Sequence, residues 1–89
     1  MTDPSDTQRL FVEFEIAEGA VVRMLGLIER RGFRVRRVAM AEQPCGRRAS
    51  LALAIAPMDE TRSVEVLTRQ LERLHGVWRV THERVLEAA

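Results

Sequence analysis

The sequence predicts an α+β domain whose elements follow the order βαββαβ. Three observations lead to this prediction. Apolar and polar residues alternate in four segments, which is typical of strands with one buried face. Two further segments repeat their apolar residues every three to four positions, as amphipathic helices do. Each helical segment ends at a glycine, Gly32 or Gly76, that leads directly into the next alternating segment.

The first strand and the first helix are predicted from the first third of the chain. Apolar residues alternate with polar ones over residues 10–16, and residues 17–19 form a turn. The first helix is expected over Ala20–Arg31, and its last two residues are arginines. Cations at that end are favoured by the helix dipole, and Gly32 stops the helix.

The second and third strands are predicted as a hairpin with a long loop. The second strand is expected over Arg34–Ala41, with Val38 and Met40 on its buried face. Residues 42–47 contain proline and glycine and form the connecting turn. The third strand, Arg48–Ala56, alternates leucine and isoleucine with serine and alanine.

The second helix and the fourth strand complete the domain. Asp59, Thr61 or Ser63 can cap the helix, because each side chain offers an oxygen to the first backbone N–H groups. The fourth strand is expected over Val77–Leu86, with Trp78 facing the core. Two helices then cover one face of a four-stranded antiparallel sheet, which is the ferredoxin-like arrangement.

The other face of this sheet is uncovered in the predicted fold. Counting every second residue places these side chains on it: Phe11, Glu13, Glu15, Arg37, Ala39, Ser50, Ala52, Ala54, Arg79 and Thr81. The middle is small and apolar and the rim is charged, which suits a docking surface for another protein as well as a tolerated half-apolar face. Phe11, Arg37, Ala52 and Ala54 are the partner-binding candidates.

Composition narrows the class of protein. Of the 89 residues, 46% are hydrophobic and 30% are charged, which is ordinary for a globular domain. No apolar run approaches the roughly 18 residues needed to cross a bilayer, and the polar start of the chain carries no secretory pattern. We expect a flexible tail at residues 1–8, a single domain at 9–87, and a cytoplasmic location.

Few residues suggest catalysis or metal binding. The single cysteine, Cys45, excludes an internal disulfide and a multi-cysteine metal site. Neither His75 nor His82 has a patterned partner for acid–base chemistry. The sequence therefore predicts no catalytic residue, no metal site and no cofactor. The net charge of +1 gives no whole-molecule argument for binding nucleic acid.

The best small-molecule candidate is the turn into the first helix. It reads Glu18, Gly19, Ala20, Val21, and a helix N-terminus offers N–H groups and a partial positive charge to a carboxylate. Glycine lets a ligand approach the backbone. The alternative is that Gly19 only makes the tight turn between strand and helix.

The same helix carries a family resemblance. The motif consists of Gly19-Ala20, Arg23, Gly26-Leu27-Ile28 and Arg31-Gly32-Phe33, and a weaker match follows at Gln70–Val80. In this order the segments resemble an ACT domain, specifically that of the short-form small regulatory subunit of acetolactate (acetohydroxyacid) synthase.

This resemblance implies a regulatory subunit without catalytic residues. It would bind and activate the large, thiamine-diphosphate-dependent catalytic chain in branched-chain amino-acid biosynthesis, and it would form a homodimer. The family's effector, typically valine, binds between the glycine turn and the neighbouring protomer, which implies Glu18, Gly19, Ala20, Val21 and Arg34 as effector-binding residues. The asparagine that the family has ahead of the glycine is absent, and a second one is replaced by Arg34. An arginine only donates hydrogen bonds, so valine sensitivity stays open.

Proteins with other functions share this element order. The runner-up is a free-standing ACT-domain sensor that binds an amino acid and regulates a different partner. RNA-recognition domains share the order but place aromatic residues on the open face, where Phe11 is the only one expected here. Metal delivery needs a cysteine pair, and an acylphosphatase needs its own Arg/Asn pattern, so these uses are disfavoured.

Overall fold

A computed structural model of the protein describes residues 7–84. Its elements are β1 (Gln8–Glu15), α1 (Ala20–Arg30), β2 (Phe33–Glu42), β3 (Arg48–Pro57), α2 (Val64–Glu72) and β4 (Val77–Arg84). The predicted βαββαβ order and ferredoxin-like fold are confirmed. β1 starts at Gln8, the last residue of the predicted tail. Residues 1–6 of that tail and residues 85–87 of the predicted domain lie outside the described residues.

The four strands form one antiparallel sheet in the order β2-β3-β1-β4. The central strands alternate buried residues with mostly exposed ones in β1 and with half-buried ones in β3, because one face of each strand lies under the two helices and the other does not. The core lies between the sheet and the helices. Its largest fully buried side chains are Phe14, Phe33, Leu10, Met24, Ile28, Leu51, Ile55, Leu67, Leu71 and Val12.

The two helices begin in different ways. Ser63 is the residue that caps α2, since its hydroxyl accepts a hydrogen bond from the N–H of Val66 at 3.3 Å. α1 begins after Gly19, which has a φ of 78° and gives the helix no side-chain cap. Met24 and Ile28 are the buried residues of α1, and they hold its apolar stripe on the sheet.

The second half of β2 is more exposed than the sequence predicted. Val38 and Met40 pair in register with the core residues Leu53 and Leu51, so their side chains point toward the helical layer. They are nevertheless 42% and 45% exposed, and the prediction that they are buried is wrong. The reason is the strand's position: β2 lies at the sheet edge, and residues 36–42 are all exposed.

A β-bulge in β2 changes which arginines share a face. Val35 pairs with Ile55 and Arg37 pairs with Ala54, which leaves Arg36 as an extra residue between them. In a bulge of this kind two residues of one strand lie opposite one residue of the other. Arg36 and Arg37 consequently both border the open face of the sheet.

A second irregularity moves Trp78 out of the core. Glu13 pairs with Arg79 and Phe14 pairs with Val77, so Trp78 is the extra residue of β4. Its side chain is 55% exposed, and the prediction that it faces the core is wrong. The guanidinium carbon of Arg48 lies 3.6 Å from the centre of the indole ring, a cation–π contact.

Candidate functional site

The turn between β1 and α1 presents the amino end of a helix without a side-chain cap. Gly19 adopts the left-handed conformation, and the first turn of α1 contains no acidic residue that would neutralise its partial positive charge. The first N–H groups of a helix have no acceptor within the helix itself. Glu18, Ala20 and Val21 flank this position. The predicted turn therefore has the polarity that a carboxylate requires.

Arg23 adds a full positive charge to this turn. Its Nη1 atom donates a hydrogen bond to the backbone oxygen of Glu18 at 3.3 Å. The same atom lies 3.0 Å from the position that a Cβ atom on Gly19 would occupy. Arg23 belongs to the motif found in the sequence but was not among the predicted site residues. Its spacing of four residues from Gly19, one helical turn, was the signal that could have found it.

Within a single chain this turn is not an enclosed pocket. The adjacent cavity, between the ends of the two helices, measures about 10 Å³, which is room for about one water molecule. Arg34 lies beyond the other end of α1, and a helix of 11 residues is roughly 16 Å long. The structure therefore brings Glu18, Gly19, Ala20 and Val21 together and leaves Arg34 apart from them.

The open face of the sheet brings all four predicted partner-binding residues together. Phe11 pairs with Ala52, and Arg37 pairs with Ala54, across neighbouring strands. All four line one depression of about 420 Å³. Phe11 is 38% exposed, so an apolar ring is offered to solvent in the middle of the sheet.

Two further arginines line this depression and were not among the predicted residues. Arg9 precedes Phe11 by two positions on β1, and period-two counting could have placed it on the open face. Arg36 reaches the depression because of the bulge in β2, which nothing in the sequence pattern indicates. Farther along the face, Glu13 and Arg79 form an ion pair of 3.6 Å.

Cys45 lies in the exposed turn between β2 and β3. The backbone N–H of Arg47, and after it that of Arg48, lowers the pKa of the Cys45 thiol from its usual value. Among residues 7–84, no group of three or more histidine, cysteine or carboxylate side chains is arranged to hold a metal ion. None of the helices described there combines the length and apolarity needed to cross a bilayer.

Comparisons with known proteins agree with this architecture. A family model described as "ACT domain" matches residues 17–80. The ACT domain from the GTP pyrophosphokinase of Chlorobium tepidum is 16% identical, with a TM-score of 0.70 over 86% of this chain and 96% of that one. The C-terminal domain of the MgtC protein from Mycobacterium tuberculosis is 14% identical, with a TM-score of 0.71 over 100% of this chain and 98% of that one.

These structural similarities, at low sequence identity, show the fold. Comparison with curated protein sequences gave no match. The family model, in contrast, covers well over half of the chain and includes the turn, both helices, β2, β3 and the first half of β4. The chain therefore belongs to the ACT domain family, a family of regulatory domains.

Proposed function

We propose that this chain is the non-catalytic regulatory subunit of an acetolactate synthase in branched-chain amino-acid biosynthesis, and that it acts in the cytoplasm. Membership of the ACT family supports an amino-acid-sensing regulatory role. The motif over residues 19–33 resembles that of the synthase's small subunit. The observation that carries the proposal is the open sheet face, where Phe11, Arg37, Ala52 and Ala54 lie together.

This face has the composition of a protein-docking surface. The small side chains of Ala52 and Ala54 let a partner approach the sheet closely, and the ring of Phe11 provides apolar contact area. Interfaces are enriched in aromatic residues and arginine, and a few such residues supply most of the binding free energy. The proposed partner is the large catalytic chain of the synthase.

We further propose that two copies of the chain pair through β2. An edge strand carries unpaired backbone N–H and C=O groups that a second strand can satisfy. On the helix side of β2, Val38 and Met40 are more than two-fifths exposed. A second copy that added its own β2 would extend the sheet and bury these side chains.

The proposed effector is a branched-chain amino acid such as valine, bound at the turn into α1. Its carboxylate would accept hydrogen bonds from the helix N–H groups and from Arg23, while the carboxylate of Glu18 would face its ammonium group. Because the turn alone encloses room for about one water molecule, the remaining wall would come from the second copy. In this proposal Arg34 is contributed across the dimer.

The experiment is synthase activity of the cognate catalytic chain, measured with and without this protein. Activation is the expected result. Phe11→Glu should raise the concentration needed for half-maximal activation about tenfold or more, because it places a charge in the apolar centre of the surface. Val66→Glu is the matched control, since Val66 is 43% exposed on α2, on the helix side. Equal activation by the two folded variants would contradict docking through the open face.

A valine titration of the same assay tests the turn. Gly19→Asp places a carboxylate beside the helix N-terminus and should weaken the valine response while activation remains. Gly46→Asp is its control, because Gly46 also has a positive φ, of 73°, but lies in a different turn with open space around it. A full valine response in the Gly19 variant would remove the turn from the effector site.

The second candidate is a free-standing amino-acid sensor. The observation that favours it is the cationic helix N-terminus at Gly19 and Arg23, which needs no synthase to bind a carboxylate. Calorimetric binding of an amino acid, together with no activation of the synthase, would select this function. Activation without any amino-acid binding would identify an assembly factor instead.

A further inference from the structure

Three arginines surround an apolar floor on the open face. The depression of about 420 Å³ is lined by Arg9, Arg36 and Arg37, and its floor includes Phe11 and small alanine side chains. All three arginines are exposed. Two of them come from adjacent positions of β2, because the bulge at Arg36 turns both toward this face. The positive charge is therefore concentrated at the β2 end of the sheet.

These charges have little compensation among the described residues. The ion pairs found there join Arg62 to Asp59 and Arg79 to Glu13, and none involves the arginines of the depression. Glu83 is the cross-strand neighbour of Arg9, yet no ion pair within 4 Å joins the two. Three like charges beside one carboxylate leave a local surplus of positive potential, which a partner carrying negative charge would neutralise.

We propose that this depression binds a carboxylate-rich segment of the partner protein, with one apolar side chain of that segment seated against Phe11. The inference rests on the proposed function only in assuming that the chain docks on another protein. Guanidinium groups bind carboxylates through paired N–H donors, so Arg36 and Arg37 suit two successive acidic side chains. The apolar floor fixes the position of the segment between them.

A protein segment fits this depression better than a small molecule or a nucleic acid. Small-molecule sites bury 70–90% of their ligand, whereas this depression opens broadly on a sheet surface. Single-stranded nucleic acids need aromatic platforms for stacking. Phe11 offers one such platform. Trp78 is also exposed, but one face of its ring is already covered by Arg48 and is not free to stack on a base.

The test uses the whole 89-residue chain, labelled with nitrogen-15, and three probes. The first is a blocked hexapeptide, Glu-Asp-Leu-Phe-Asp-Glu, and the second is its neutral analogue, Gln-Asn-Leu-Phe-Asn-Gln. The third is a short oligouridine. We expect the acidic peptide to shift the backbone resonances of Phe11, Arg37, Ala52 and Ala54. Its affinity should fall as ionic strength rises, since the Debye length shortens from about 30 Å at 0.01 M to about 8 Å at 0.15 M.

Matched variants distinguish this site from general attraction to a basic protein. The double variant Arg36→Gln/Arg37→Gln removes two charges from the depression. It should lower the affinity for the acidic peptide about tenfold, because each lost contact is worth about a factor of three. Arg69→Gln with Arg73→Gln removes two charges on the helix side, where both residues are exposed, and should have little effect. Both double variants carry the same net charge.

Several outcomes would overturn the inference. Equal binding of the neutral and acidic peptides would show that the arginines play no part. Equal weakening by the two double variants would show that only net charge matters. Binding of oligouridine in place of the acidic peptide would identify a nucleic-acid surface. Resonance shifts confined to the turn at Gly19 or to the edge at Met40 would place the peptide elsewhere.

The peptide assay and the synthase assay can fail separately. Site-specific peptide binding without synthase activation would leave this inference standing and would contradict the proposed partner. Synthase activation that the double variant Arg36→Gln/Arg37→Gln leaves unchanged, together with no peptide binding, would retain the regulatory subunit and overturn the acidic-segment inference.

Discussion

Replacing Gly32 by alanine should destabilise this domain by about 1–3 kcal/mol. Gly32 ends α1 with a φ of 88°, a conformation that costs an L-residue about 1–2 kcal/mol. A Cβ atom there would also collide with the side chain of Arg62, lying 2.6 Å from its Cδ and Cζ atoms and closer still to Nε. Relieving that collision moves Arg62 away from Asp59, its partner at 3.3 Å, at a further cost of about 0–1 kcal/mol for an exposed pair.

Urea unfolding followed by circular dichroism measures this effect. A loss of about 1–3 kcal/mol in the free energy of unfolding corresponds to a melting temperature lowered by roughly 4–24 °C for a domain of this size. Gly46→Ala is the control, because Gly46 has a φ of 73° and no neighbouring atoms within 4 Å of the place where a Cβ would lie. This variant should therefore lose only the roughly 1–2 kcal/mol that the left-handed backbone conformation costs an alanine. Adding Arg62→Ala to Gly32→Ala should cost little beyond Gly32→Ala alone, because the ion pair of Arg62 with Asp59 is already lost in the single variant. Equal losses for the two glycines, or a full further loss when Arg62→Ala is added, would refute the proposed collision.

Three further changes have defined expectations. Gly26→Ala should stabilise the protein by about 0.5–1 kcal/mol in the same assay, since Gly26 lies inside α1 with open space around it; a loss of stability would show hidden packing there. Cys45 should react with iodoacetamide at a lower pH than a model thiol does, because the N–H of Arg47 favours its thiolate, and a rate profile against pH that matches the model thiol would contradict this. Trp78→Ala should cost less than about 1 kcal/mol, mostly its contact with Arg48, and a loss of about 3 kcal/mol or more would place the ring in the core.

The fold was predictable because the periodicity of each element is strong and unbroken. The change from a helical to an alternating pattern at Gly32 is visible in the sequence, and β3 alternates without interruption through Leu51, Leu53 and Ile55. Among the proposed caps of α2, only the structure identifies Ser63, since several oxygen-bearing side chains stand within reach of that helix start.

Residues of β2 and β4 differ from the prediction where alternation alone decides which face or burial a residue has. Alternation between the two faces of a sheet holds only while each residue has one partner on the neighbouring strand. Trp78 is the extra residue in the pairing of β4 with β1, so the alternation fails there. Val38 has the correct direction but not the predicted burial, because a pattern of residues does not reveal which strand lies at the edge.

The candidate site was predictable to a similar extent. Phe11, Arg37, Ala52 and Ala54 lie together as predicted, since their strands are regular at these positions or resume their alternation after the bulge. Arg36 was missed because it is the bulged residue itself. Arg23 was missed although its spacing of one helical turn from Gly19 placed it within reach of the turn, and the hydrogen bond that bends it back to Glu18 is visible only in the structure.

The bulge in β2 also affects how the length of this strand can vary. Arg36 lies opposite no residue of β3, so deleting it would leave residues 37–42 paired as they are, with each side chain on its present face. A deletion within the regular part of β2 would instead turn over every side chain between that point and the next turn. Arg36 is therefore a position where a related chain can be one residue shorter without rebuilding the sheet. Such a chain would also lose one cation from the open face.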